Sequence, residues 1–509
     1  MITSRVMSVV EHGPRQFVVV SAVMLAALLQ LADTTIVNVA LPTIDGNLGA
    51  SLDEGTWFIT SYIIANVIVI PLSPWLSTRF GRRNYFVFSI FGFTLMSLLC
   101  GLANDVNVEI AFRFLQGAFG GGLMVPGQQI MRDTFAPSQL GRGQSLFGLA
   151  ATIGPTIGPT LGGVLTDSLS WRWCFFINLI PGIAAGVLAL VFLRDPEPAR
   201  RTPVDGVGIG LLAVGIGCLQ YVLEEGERNG WFEDGTILVI SIISAIGLIA
   251  FVWWELFGTD HPAIPLRVLR ERPVWATGVI GFAVGAMLYG MFIVQPQYTQ
   301  GTLGFTTTGS GIFMMLRAGT ILALFPFTTW LVSRRGLDLR IVIGVGLATY
   351  GAASWLQAGL MTSTADFGVL VATQIAGGAG FALIFVPLNV ALLQSIGPAT
   401  VGPALAILRL AQQIGGSVAS AWIVTYVDRM FSAHDAVLRS SIADSSQAVH
   451  AYMSHAHGGI SGLAAIVRAQ AQVMALDDAM RVVAFMAFGS VALVFMLRRG
   501  LPAKPKAPV

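Results

Sequence analysis

The chain reads as an all-α polytopic membrane protein: two six-helix bundles with two further helices inserted between them. Three observations predict this. Apolar residues make up 54% of the 509 and charged residues 11%, roughly half the charge of an average soluble chain, and mean hydropathy is +0.74. Apolar runs of about 20 residues, long enough to cross a bilayer as helix, recur along the whole length. Two stretches also repeat: WLSTRFGRR from Trp75 matches WLVSRRGLD from Trp330, and QGAFGGGLMVP from Gln116 matches GGAGFALIFVP from Gly377, offsets of 255 and 261 residues. Duplicated bundles of membrane helices are the usual build of a secondary transporter.

Fourteen runs are expected. Six centre on 16–41, 56–75, 84–103, 107–130, 144–166 and 173–193, two on 206–224 and 236–257, and six on 274–298, 308–332, 339–361, 367–394, 401–426 and 480–497. The repeats divide the chain into an N-terminal bundle (1–200), two inserted helices (201–260) and a C-terminal bundle (261–509). The first run follows Arg5 and Arg15, as a signal peptide would. It is long, contains Asp33 and lacks a small-x-small cleavage site, so it reads as a retained first helix. Cys100, Cys174 and Cys218 lie in or beside apolar runs, as buried small side chains rather than a disulfide framework.

Arginine placement sets the direction of the spans. With the N-terminus inside, the inner segments hold Arg79, Arg82 and Arg83; Arg132 and Arg142; Arg194, Arg200 and Arg201; Arg267, Arg270 and Arg272; Arg334, Arg335 and Arg340; and the basic tail. Counted with Arg5 and Arg15 they are 20 of the 29 basic residues, so both termini are expected in the cytoplasm. One outer segment stands apart, a polar loop over 427–479 whose spacing of Ala465, Val467, Ala471 and Met474 suggests helical pieces. A loop this long usually does something: it either caps the outer vestibule or docks a partner protein.

LADTTIVNVALPTIDGNLGAS in the first run, GTWFITSYIIANVIVIPL in the second and WRWCFFINLIPG entering the sixth resemble the fourteen-span drug:proton antiporters of the major facilitator superfamily, and most of all the EmrB type of multidrug exporter. The resemblance covers essentially the whole chain. It implies proton-driven efflux of amphipathic compounds across the inner membrane, with a periplasmic membrane-fusion adaptor and an outer-membrane channel as partners. Three motifs carry over. The inner-loop gating motif G-x-L-x-D-R-x-G-R-R falls on Leu76, Arg79, Gly81, Arg82 and Arg83, with Pro74 in place of the first Gly and Thr78 in place of the Asp. R-x-x-Q-G is intact as Arg113, Gln116 and Gly117, and the antiporter motif falls on Gly154, Gly158, Pro159, Gly162 and Gly163. Independently of any family, glycines every four residues share a helix face and admit close backbone approach, and Pro159 removes one backbone hydrogen bond. That face serves tight packing, gating, or both.

An ionisable side chain deep in a span costs several kcal/mol unless paired or hydrated, which makes it a functional candidate. Asp33 lies about 8 residues from the outer end of its run and Arg113 about 6 from the outer end of its own, depths that agree to roughly 3 Å. A pair between them is expected, serving proton coupling or structure alone. In the C-terminal bundle the repeat aligns Arg113 with Gln374, and Arg317 and Arg409 stand in other spans, set to attract an acidic substrate or to bond backbone carbonyls. Gln295, Gln297 and Tyr298, with Met287 and Met291, suggest a cavity wall; Gln295, Tyr298, Arg317, Gln374 and Arg409 are the candidate cavity residues. Glu224 and Glu225 read foremost as a solvated interface, and Glu255 is ambiguous.

Other chemistries find no footing. None of the six histidines falls in an expected span, so proton coupling rests on carboxylates, Asp33 first. His455 and His457 supply too few ligands for a metal site and read as solvated loop residues; neither metal nor cofactor is expected. The lysines are Lys504 and Lys506 alone, so there is no phosphate-binding Walker loop, and no nucleic-acid-binding face or catalytic triad emerges. Two readings remain besides multidrug efflux: dedicated export of one metabolite, such as a siderophore or fatty acid, and a non-transporting receptor or scaffold. Asp33, the antiporter glycines and the retention of both bundles argue against the last.

Overall fold

The computed structural model describes residues 11, 13–195, 203–333, 337–365, 367–440 and 459–497, and every regular element among them is helical. The first half of the chain holds α1 (Pro14–Leu48), α2 (Leu52–Phe80), α3 (Arg82–Leu102), α4 (Val106–Gly121), α5 (Met124–Thr134), α6 (Leu140–Ser168), α7 (Trp173–Phe176) and α8 (Leu179–Phe192). Then come α9 (Gly206–Glu225) and α10 (Gly235–Trp253), followed by α11 (Arg272–Pro296), α12 (Thr307–Ser333), α13 (Leu339–Leu360), α14 (Phe367–Ser395), α15 (Val401–Ser440) and α16 (Gly459–Leu493).

The ends of these helices follow from local chemistry. Pro14 opens α1, where a missing N–H is harmless, and Gly49 closes it in the left-handed conformation. Ser51 and Glu54 form a reciprocal capping box at the start of α2. The run expected at 107–130 is broken into α4 and α5. Pro126 cannot donate to the Gly122 carbonyl and its ring crowds it, and glycines at 120–122 give the chain the freedom to turn there.

Among the described residues, eleven helices are long and apolar enough to cross a membrane. The three expected runs outside that set are α4–α5, interrupted; α6, rich in glycine with two internal prolines; and α15, which carries Arg409, Gln412 and Gln413. Their polar faces are turned inward: Arg113, Gln116, Gln128 and Arg409 are all buried. The opposite arrangement marks the lipid face, where Ile180, Ile249 and Phe257 are each more than two-thirds exposed. A protein that buries its amides and exposes its isoleucines is solvated by hydrocarbon, and this is a multi-pass membrane protein.

Packing repeats between the two halves. In the first, α1 lies on α6 and α2 on α4; in the second, α11 lies on α15 and α12 on α14. Helices α9 and α10 pack on each other, and α9 rests against α2 and α15.

The segment expected to be a loop over 427–479 is largely helix. Helix α15 continues to Ser440 and α16 begins at Gly459, leaving 441–458, with His450, His455 and His457, outside the described residues. The helices run on because polar side chains pair across them: His434 Nε2 meets Asp478 Oδ2 at 2.8 Å. Arg334, Arg335, residues 196–202 and the basic tail also lie outside the described residues.

Candidate functional site: a buried carboxylate–guanidinium centre and a separate cavity

Helix α6 seats against the turn of α1 that carries Asp33, and glycine is what allows it. A Cβ on Gly158 would stand 2.9 Å from the Ala32 carbonyl oxygen, one on Gly154 3.1 Å from the Ala32 nitrogen, and one on Gly162 2.5 Å from the Ile36 carbonyl oxygen. Pro159, within the same helix, leaves the Pro155 carbonyl without its helical donor. Across the bundle α4 approaches α2 in the same way, with Gly117 against the Tyr62 carbonyl and the Asn66 amide donating to the Gly117 carbonyl at 3.3 Å.

These two close approaches bring Asp33 and Arg113 together. Arg113 Nη1 donates to Asp33 Oδ2 at 2.6 Å, and the two side chains are 1% and 0% exposed. The other carboxylate oxygen accepts from Gln116 Nε2 at 3.0 Å and Asn178 Nδ2 at 2.9 Å. Arg113 also donates to Gln116 Oε1 (2.6 Å) and through Nε to the Phe58 carbonyl (3.0 Å), with its guanidinium carbon 4.3 Å from the Tyr62 ring centroid. Asn178 is held in turn by Ser97, whose hydroxyl donates to the Phe175 carbonyl. A fully desolvated ion pair is tolerable only with its remaining lone pairs and protons satisfied, and every one of these partners comes from the first half of the chain.

Sequence reading named Asp33, Arg113 and Gln116 and missed Tyr62, Ser97, Glu109 and Asn178. Asn178 lies inside the quoted WRWCFFINLIPG stretch, but a neutral amide gave no signal. Glu109 precedes Arg113 by one helical turn and is 0% exposed.

The gating-motif residues form a second cluster. Gly81 links α2 to α3 with φ +87, and the space where its Cβ would stand is 2.9 Å from Asp195 Oδ2. Asp195 Oδ1 accepts the Arg83 N–H at 2.7 Å, Arg82 pairs with Asp133 at 2.7 Å, and the Arg83 guanidinium bonds the Leu190 carbonyl. Arg79 lies over the Trp75 ring, and the Thr78 hydroxyl bonds the Pro74 carbonyl. Where Thr78 supplies no carboxylate, Asp133 and Asp195 bring theirs from α5 and from the segment after α8.

A cavity lies in the second half of the chain, and among the described residues α6 is its only wall from the first. Gln295, Arg317, Tyr350 and Gln374 line it together with Met291, Phe292 and Phe381. Arg317 Nε bonds Gln374 Oε1 (3.2 Å) and Nη1 the Tyr350 hydroxyl (3.3 Å), while Nη2 has no partner. Two candidate cavity residues lie elsewhere. Tyr298 is buried with its hydroxyl against Thr362, donating to the carbonyl and accepting from the N–H. Arg409 bridges the halves, with Nε and Nη2 donating to Gln128 Oε1 at 3.1 and 3.0 Å while its guanidinium carbon lies 5.4 Å from the Phe147 ring centroid and 5.3 Å from that of Phe385. Gln128 Nε2 reaches on to Asn389 (2.5 Å) and Gln144 (2.8 Å). Neither arginine forms an ion pair among the described residues.

The acidic residues that close α9 also depart from expectation. Glu225 is buried rather than solvated, and Glu224 accepts from Gln220, which donates as well to Ser417 of α15. Glu255 is 1% exposed and accepts the Ile264 N–H.

Fold and site together define a helical membrane transporter rather than an enzyme, and comparison with known proteins narrows the class. The profile of the Major Facilitator Superfamily matches residues 23–420. The Multidrug export protein EmrB of Escherichia coli (strain K12) is 31% identical over 436 residues, covering 85% of this chain and 84% of that protein. The Fatty acid resistance protein FarB of Neisseria gonorrhoeae is 31% identical over 435 residues, with the same coverage. In three dimensions the human organic anion transporter MFSD10 (TETRAN) superposes with a TM-score of 0.59 at 15% identity, over 94% of this chain and all of that one, which shows a shared fold. The chain belongs to the Major Facilitator Superfamily, and within it to the EmrB type of permease.

Proposed function

We propose that this chain is a proton-coupled antiporter that exports amphipathic small molecules, and that Asp33, held by Arg113, carries the coupling proton. The observation behind this reading is the Asp33–Arg113 centre, a titratable carboxylate with no exposure, fixed by donors from α4 and from the turn between α7 and α8. Such a group is costly in a membrane interior and is retained where it does work. In this reading fourteen spans, with both termini in the cytoplasm, are arranged as bundles 1–200 and 261–509 around the inserted pair 201–260. The protein sits in the inner membrane and works with a periplasmic adaptor and an outer-membrane channel. Residues Arg79, Gly81, Arg82 and Arg83 form the inner gate, and the α6 glycines form the seam on which it moves.

The test is Asp33→Asn in proteoliposomes with an imposed pH gradient. Asn keeps the shape and part of the hydrogen bonding but cannot titrate, so gradient-driven transport should vanish while the protein still purifies as a folded monodisperse species. Full transport by the Asn variant from pH 6 to 8 would remove Asp33 from the role.

A second reading, preference for acidic amphiphiles, draws on Arg317. Its guanidinium faces a cavity whose other lining residues are all neutral, with no carboxylate paired to it, and a buried cation invites an anionic ligand. The similarity to a fatty acid resistance protein points the same way. If it holds, Arg317→Gln lowers transport of the lipophilic anion 8-anilinonaphthalene-1-sulfonate and spares that of rhodamine 6G, a lipophilic cation; equal losses of both would make Arg317 structural.

A further inference from the structure

Glu109 is a carboxylate with 0% exposure, and the one donor beside its oxygens is the Cys100 thiol, too far or too poorly aligned for a well-formed hydrogen bond. The charged and titratable groups facing it are Arg113 on its own helix, Asp33 on α1, the Cys100 thiol on α3 and Arg172 just before α7. Arg113 is one turn along the same face, the spacing at which a glutamate on the N-terminal side meets a basic residue best. That guanidinium is already bonded to Asp33, Gln116 and the Phe58 carbonyl. Two carboxylates therefore surround one guanidinium, and only Asp33 is bonded to it. An ionised carboxylate left dry with only a weak thiol donor beside it is costlier than a neutral acid in the same place, so the arrangement assigns the negative charge to Asp33 and a proton to Glu109.

Position gives that proton a purpose. Glu109 lies near the start of α4, just after the turn at Asn104 and Asp105, while Arg113 and Asp33 are about 6 Å deeper along the helix axis. We propose that Glu109 is a proton relay between that membrane face and Asp33. Glu109 takes a proton from water at that face and passes it to the Asp33 carboxylate, and the charge left on Glu109 is met by Arg113, which Asp33 has just released. Arg113 stays protonated throughout, so one proton moves and one carboxylate replaces the other at the guanidinium. This rests on the coupling role proposed for Asp33.

Infrared spectroscopy of the purified protein in detergent tests the resting state without any substrate. The stretch of protonated buried carboxyl groups at neutral pH should lose intensity in Glu109→Gln; an unchanged band in that variant overturns the proposal. Proteoliposomes loaded with rhodamine 6G or 8-anilinonaphthalene-1-sulfonate test the relay. Glu109→Gln should slow gradient-driven transport about tenfold or more, leave substrate exchange without a gradient near the wild-type rate, and be partly rescued by Glu109→Asp. Exchange lost together with driven transport overturns the relay and makes Glu109 structural. Normal driven transport in Glu109→Gln with none in Asp33→Asn overturns the relay alone, whereas normal transport in Asp33→Asn overturns the coupling role of Asp33 and the relay with it.

Discussion

Removing the charge of Asp33 should destabilise the protein in a way that a second substitution repairs. Asp33→Asn leaves Arg113 buried and places an amide where a carboxylate stood 2.6 Å from Nη1. Breaking a buried pair from one side costs about 3–5 kcal/mol. Arg113 keeps the Phe58 carbonyl, Gln116 Oε1 and the Tyr62 face, which places Asp33→Asn near 3 kcal/mol on that scale. Arg113→Gln should cost about as much, because Asp33 would retain the donors of Gln116 and Asn178. If the two were independent the double variant would lose about 6 kcal/mol; with the charges removed together it should lose about 2. The assay is the reaction of a thiol-reactive fluorophore during denaturation in detergent, on a Cys218→Ser background. Cys100 and Cys174 are each 0% exposed and become reactive only on unfolding. Additive losses in the double variant would refute a stabilising pair and leave two separately bonded groups.

Three further outcomes follow from the geometry. Gly158→Leu should wedge α6 off the Ala32 turn, costing about 1–3 kcal/mol as overpacking, and should reduce transport far more than Gly206→Leu, where a Cβ meets nothing within 4 Å; thermal unfolding and proteoliposome rates compare the two. Arg409→Gln, at the contact between halves rather than in the cavity, should depress transport of 8-anilinonaphthalene-1-sulfonate and rhodamine 6G alike. Replacing 441–458 by a short flexible linker, with α15 and α16 kept whole, should leave transport in proteoliposomes intact and lower co-purification of the periplasmic adaptor proposed as its partner; unchanged capture would sink the docking role.

The fold was legible because hydropathy and duplication are properties of long segments, which local irregularity does not erase. It became hard to read where a helix is internal to the bundle. Helices α6 and α15 spend their composition on glycine, glutamine and arginine, since their neighbours there are other helices and not lipid. The Asp33–Arg113 pair could be read from depth alone because both residues are charged, and charge is rare in a span. Asn178 and Gln128 carry no charge and resemble any other amide in the sequence, though each is central to a network. Tyr298 misled through its position beside Gln295: α11 gives way there to a π-helical turn over Gln297–Thr302, which swings the ring toward Thr362 and away from the cavity. The stretch 427–479 looked like a loop because polar and charged residues interrupt its apolar positions, whereas His434 and Asp478 pair across its helical portions.

The bridge between the halves, Gln128 with Asn389 and Arg409, contains no carboxylate. Its strength therefore does not depend on either partner gaining or losing a proton. When it opens, every amide and guanidinium donor can exchange its protein acceptor for water, at a net cost of about 0.5–1.5 kcal/mol per amide bond and about 1.5–3 kcal/mol per guanidinium bond. A clasp of this kind behaves like a reusable fastener: firm enough to define one shape, weak enough that the open and fastened forms lie close in free energy. A cycling machine needs that near-balance, because a modest bias from a bound molecule can tip it in either direction and the return stroke requires no larger effort than the forward one.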